Sequence, residues 1–133
     1  MTSTGLASLK IPGTLSSPCV DADEAAGVLV LSGESYPENS FEFFRPILTW
    51  CADFLARDDR PLTVDLRLTY LNTSSIKAMM DLLDTLEDAH RAGRTVAVRW
   101  YYDQENDRAL DLAEEFKEDL TLPFHTIPVH FEG

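Results

Sequence analysis

The chain has 133 residues, one domain's length, and 44% are apolar, enough for a core without metal or disulfide staples. Its 23 Asp and Glu against 11 Lys and Arg give a net charge of -12. That field repels nucleic-acid phosphates and anionic lipid, so no nucleic acid and no membrane is an expected partner; basic patches on other proteins are.

Residues 1–17 are rich in Ser, Thr and Gly around one apolar patch, LASLKI, and are expected to be loose or to pair at a sheet edge. Residues 18–133 are expected to form one α/β domain. PCVDAD and GVLVLSG, split by EAAG, read as a hairpin, because the second run is β-branched and bounded by Gly. In SYPENSFEFFRPILTWCADFLARDDRP the spacing is helical: Phe43, Ile47, Trp50 and Phe54 form one row, and Phe44, Leu48, Cys51 and Leu55 lie beside it. Pro46 interrupts this row. Either the helix begins near Phe43, where proline is harmless, or it kinks.

PLTVDLRLTYL alternates, with Leu62, Val64, Leu66 and Leu68 on one face and Thr63, Asp65, Arg67 and Thr69 on the other. Strict alternation marks a strand covered on one face only, so the helices should lie mainly on one side of the sheet. SSIKAMMDLLDTLEDAHRAG is helical, with Ile76, Met79, Met80, Leu83, Leu86 and His90 as the apolar row and Gly93 as its end. RTVAVRWYY is a strand with Val96, Val98 and Trp100 on one face. DQENDRALDLAEEFKED is an acidic helix with Asp103 as the expected N-cap. LPFHTIPVHF closes the chain as an edge strand, since Pro128 has no N–H to donate. The order β-β-α-β-α-β-α-β implies a single mixed sheet with about three helices.

Cys19 and Cys51 lie outside any CxxC, which fits a reduced, cytoplasmic chain. MTSTGLASLKIPG lacks an apolar h-region, so no signal peptide is expected. DADEAAG opens like a calcium loop, but Ala25, Ala26 and Ser32 stand where ligands, the turn glycine and the closing glutamate belong. No zinc spacing, phosphate loop or nucleophile elbow occurs, so neither metal nor cofactor is expected.

The strand-to-helix junction YLNTSSI concentrates three hydroxyls. Three roles are open for Thr73. It caps the helix. It accepts a phosphate, whose charge the positive end of the helix dipole tolerates, so that only the surface changes. Or it is the nucleophile of a small hydrolase, which requires a base within hydrogen-bond reach; the nearest His in sequence, His90, is roughly 25 Å along the same helix. Asp81, Asp84, Glu87 and Asp88, and then Glu114, Glu115, Glu118 and Asp119, read as solvated faces. Asp65, Arg67 and Arg99 read as an ion-pair ladder across two strands, with Tyr101 on the face of Arg99.

LSGESYPENSFEFFRPIL, followed by the run from RPLTVDLRLTYLNTSSIKAMMDLLD to LTLPF, resembles the SiaC family of bacterial regulatory phosphoproteins over roughly residues 27–128. The resemblance implies a topology similar to anti-sigma-factor-antagonist (STAS) domains. It implies phosphorylation of the Thr of LNTSS, Thr73 here, by a dedicated serine/threonine kinase and removal by a PP2C-like phosphatase. It further implies that the unphosphorylated form, not itself an enzyme, binds and activates a diguanylate cyclase, raising cyclic di-GMP and promoting biofilm or aggregate formation. Tyr70, Asn72, Thr73, Ser74, Ser75 and Lys77 are the residues expected to line the docking surface. An anti-sigma-factor antagonist that binds an anti-sigma kinase is the alternative within binding modules.

Overall fold

A computed structural model describes residues 8–57 and 60–130. Six strands and three helices follow in the order β1 (Leu9–Ile11), β2 (Cys19–Asp23), β3 (Val28–Ser35), α1 (Ser40–Arg57), β4 (Leu62–Leu71), α2 (Thr73–Arg91), β5 (Val96–Asp103), α3 (Asp107–Glu118) and β6 (Phe124–Val129). They make one mixed sheet whose spatial order equals the chain order. β1, β2 and β3 pair antiparallel, and β3 through β6 pair parallel. Leu9–Ile11 thus supplies one more strand, β1, than the order expected from the sequence, and it pairs at the edge of the sheet. β6 is the opposite edge, where the proline costs no ladder bond.

This order fixes the layers. Each parallel step moves one strand in the same direction, and right-handed crossovers then put α1, α2 and α3 on the same face. The register agrees: Val20, Leu31, Leu66 and Trp100 lie in one row and all are buried. From the helices, Phe44, Ile47, Phe54, Met79, Leu82 and Leu83 close over that face.

Several local expectations change. α1 begins at Ser40, so Pro46 lies in its second turn and leaves the Glu42 carbonyl without its usual donor; both residues are exposed, where water can serve instead. On α2, Met80 is half exposed and Leu82 is buried in its place. Glu87, expected on the solvated face, is buried as well. Its carboxylate accepts from the Thr121 and Leu122 N–H groups, at 2.9 and 3.1 Å, from the Thr121 hydroxyl at 2.6 Å and from Arg91 Nε at 2.8 Å. Asn106, not Asp103, caps α3, accepting from the Ala109 N–H at 3.1 Å. Asp103 still belongs to β5, and its side chain accepts from the Glu105 N–H at 2.9 Å. On the uncovered face of the sheet, Arg99 alone takes Asp65, at 2.6 and 2.9 Å, and that pairing raises the Arg99 pKa. Arg67 lies over the Tyr101 ring at 3.9 Å instead of completing a ladder.

Candidate functional site

Parallel neighbours end at the same edge of a sheet, so the segments that leave β3 and β4 emerge side by side. Between Gly33 and Glu34 the β3–β4 register slips at a bulge, which Gly33 permits by adopting φ +110°. Beyond the bulge Ser35 pairs with Leu71, and its carbonyl accepts from the Asn72 N–H at 3.0 Å. The start of α2 is therefore fastened to the end of β3.

Asn72 is the N-cap. Its backbone is extended, and its Oδ1 accepts from the Ser75 N–H at 2.9 Å while its carbonyl accepts from the Ile76 N–H at 2.9 Å. Ser74 donates to Asn72 Oδ1 at 3.2 Å and shares a hydrogen bond with Ser40 Oγ at 2.7 Å. Ser75 is fully buried and shares one with Ser35 Oγ at 2.8 Å. Ser40 is the first residue of α1 and is also buried. These hydroxyls knot β3, α1 and α2 together. Thr73 is not in the knot. It is the first residue of α2, it is exposed, and among the described residues its hydroxyl makes no hydrogen bond.

Large apolar side chains lie exposed around this junction. Tyr70 is 51% exposed and Tyr36, at the end of β3, is 40%; their rings meet edge to face at 5.8 Å. Phe41 is 69% exposed, with the Arg45 guanidinium 5.0 Å from its ring centre. A depression of about 310 Å³ between the starts of α1 and α2 is lined by Ser40, Phe41, Ser74 and Lys77. Exposed aromatic groups are a feature that protein contact surfaces share. The first turn of α2 holds no acidic residue, whereas α1 has Glu42 and α3 has Asp107 there. The positive end of the α2 dipole is thus left uncompensated.

A family model described as SiaC family regulatory phosphoprotein matches residues 11–129. The chain belongs to the SiaC family. A curated protein of Pseudomonas aeruginosa (strain UCBPP-PA14), described as uncharacterized, is 55% identical over 127 residues, 96% of this chain and 100% of that one. The crystal structure of apo-SiaC from Pseudomonas aeruginosa is 55% identical and superposes with a TM-score of 0.88 over 91% of this chain and 98% of that chain. SiaC from the same organism in complex with the diguanylate cyclase SiaD, of which it is the activator, gives a TM-score of 0.89 at 55% identity over 91% and 99%.

Of the residues read from the sequence of this SiaC-family chain, Tyr70, Thr73, Ser74 and Lys77 are exposed and Asn72 is half-buried with its side chain committed to the cap. Ser75 presents nothing to solvent and instead anchors the junction from beneath. Tyr36, Ser35, Ser40 and Phe41 were missed. They sit in or after β3, 31 to 37 residues before Asn72, and the parallel pairing of β3 with β4 brings them there. Asp65, Arg67, Arg99 and Tyr101 lie on the uncovered face and take no part. Among the described residues no cluster suited to a metal ion occurs, and no helix is long and apolar enough to cross a membrane.

Proposed function

We propose that this protein is a non-enzymatic, cytoplasmic switch whose unphosphorylated form docks on a diguanylate cyclase and activates it, raising cyclic di-GMP and favouring biofilm or aggregate formation. A dedicated serine/threonine kinase phosphorylates Thr73 and ends docking; a PP2C-like phosphatase restores it. The observation that carries the reading is Thr73 itself: an exposed hydroxyl with no internal bond among the described residues, three positions after the exposed Tyr70, at the start of a helix with no acid in its first turn. Support also comes from the 55% identity to the SiaC that activates SiaD.

The physics favours a switch in recognition over a switch in fold. A phosphate on Thr73 adds about -1.5 to -2 charges at the positive end of α2, next to backbone N–H groups that have no helical partner. The helix tolerates that charge. A partner packed on the neighbouring aromatic rings would have to bury it, which is costly without a cation to pair with. Tyr70, Ser74 and Lys77 would meet that partner directly, and Asn72 and Ser75 would hold the junction in shape. The hydroxyl needs no activating base in this role, unlike the nucleophile of a hydrolase.

Phosphosite mass spectrometry on protein from cells should find the modification on Thr73. Thr73→Ala and Thr73→Glu should both keep the wild-type melting profile, and only Thr73→Glu should lose cyclase binding and activation. Equal binding by the two variants would place the switch elsewhere. Recovery of a sigma-regulating kinase and no cyclase in a pull-down would replace the cyclase reading with the anti-sigma antagonist.

A further inference from the structure

α2 carries two long cations, Lys77 and Arg91. Arg91 is taken: its Nε donates to the Glu87 carboxylate at 2.8 Å. Lys77 is exposed, and among the described residues it joins no ion pair. Acids stand nearby all the same. Glu38 and Asp81 line the same depression between α1 and α2, and neither pairs with it.

Position decides what else Lys77 can reach. It follows Thr73 by four residues, so the two share one face of α2, with Cβ atoms about 6 Å apart. Side chains on a helix lean toward its N-terminus, which lets the Lys77 stem run back toward Thr73. The other charges at this edge do not serve a phosphate. Glu34 is in register with Tyr70, Glu38 and Asp81 are exposed, and all three repel it. Arg45, on the second turn of α1, is held by Glu42 at 3.0 Å and lies over the Phe41 ring.

On the reading that Thr73 is the phosphoacceptor, we propose that Lys77 is the internal counter-ion of its phosphate: the ammonium pairs with the phosphate and leaves the depression between α1 and α2. The modification then changes the contact surface twice. It adds negative charge at Thr73, and it withdraws the one cation among the described residues lining a depression whose other charged groups are Glu38 and Asp81. A partner group that Lys77 attracts loses its contact as well.

The test uses the full chain with phosphothreonine installed at position 73 during translation, so it does not depend on a cellular kinase. Phosphorus NMR follows the second ionisation of the phosphate against pH in wild type, Lys77→Arg and Lys77→Met. The helix dipole acts on all three alike, so differences report residue 77. An exposed pair of this spacing should hold the midpoint about 0.3 pH units lower in wild type and Lys77→Arg than in Lys77→Met. The difference should shrink in 1 M salt, where screening contracts to about 3 Å. In the wild type the Lys77 Cε–H signal should titrate with the phosphorus midpoint, a measurement that needs no variant. Equal midpoints in wild type and Lys77→Met, a difference that Lys77→Arg does not keep, or a Lys77 signal indifferent to the phosphate would overturn the inference and leave the Thr73 switch standing. Failure of the switch itself has a different signature: no phosphate on Thr73 in protein from cells, whatever the midpoints.

Discussion

Thr73, Ser74 and Ser75 are consecutive hydroxyls with three different surroundings: solvent, a cap shared with Asn72 and Ser40, and the interior beside Ser35. Only the first is open to a modifying enzyme without breaking an internal bond. Glu87 shows the opposite case, a surface-type residue drawn inward. The Thr121 hydroxyl, with help from the Thr121 and Leu122 N–H groups and Arg91, outweighs the cost of its burial and holds its carboxyl down to about 2, against an ordinary 4.5. A folded pKa below the unfolded one gives stability that is whole above about pH 4.5 and is lost as pH falls toward 2. Denaturant melts of wild type and Glu87→Gln should therefore differ at pH 6, and the gap should shrink as pH falls below about 4.5 and close only once pH has passed below about 2; a gap independent of pH would mean the charge contributes nothing. The cysteines separate in the same way. Cys19 is exposed, and Cys51 is buried, its thiol pushed up to about 12 by loss of hydration. Iodoacetamide at pH 8 should label Cys19 alone in the native protein and both after denaturation, as read by intact mass.

At the scale of the element, α2 is the best-defined piece because both ends are closed by local chemistry. Asn72 Oδ1 takes the Ser75 N–H at its start. At the other end Ala92 is the cap and Gly93 follows at φ +98°, with the Gly93 N–H donating to the His90 carbonyl at 3.0 Å and the Arg94 N–H to the Ala89 carbonyl at 2.9 Å. That pair of bonds is a Schellman motif, and it requires a left-handed residue at Gly93. A Cβ there meets nothing within 4 Å, so backbone strain alone should set the cost. Gly93→Ala should destabilise by about 1 kcal/mol in urea, with an unchanged m-value. A neutral substitution would mean that the turn relaxes. α1 accommodates Pro46 in its second turn, where it and Glu42 are both exposed, so water can serve the one carbonyl that the proline orphans.

For the molecule as a whole, charge and layering matter most. Three helices cover one face of the sheet, and the other face is dressed with Asp65–Arg99 and Arg67–Tyr101 contacts. With -12 net charge, compaction works against self-repulsion. Screening contracts from about 30 Å at 0.01 M salt to about 8 Å at 0.15 M. The melting temperature should accordingly rise between those salt concentrations; a fall would mean that ion pairs such as Arg60–Glu24 and Arg91–Glu87 outweigh the repulsion.

The sequence by itself determined which segments become strands and helices, apart from the short β1, and that the sheet is covered on one face. Both follow from local periodicity: alternation in Leu62–Leu71 and the apolar rows on the helices read directly as faces. It also marked the LNTSS junction as a helix start, because N-caps are built from neighbours in the chain. It did not show that Ser75 turns inward, that Glu87 is buried, or that Tyr36 stands beside Tyr70. Those depend on which segments the parallel pairing of β3 with β4 and the packing of α2 against the Thr121 turn bring together. Such encounters join residues more than 30 positions apart, and a polar residue's burial is decided by the partner it meets there.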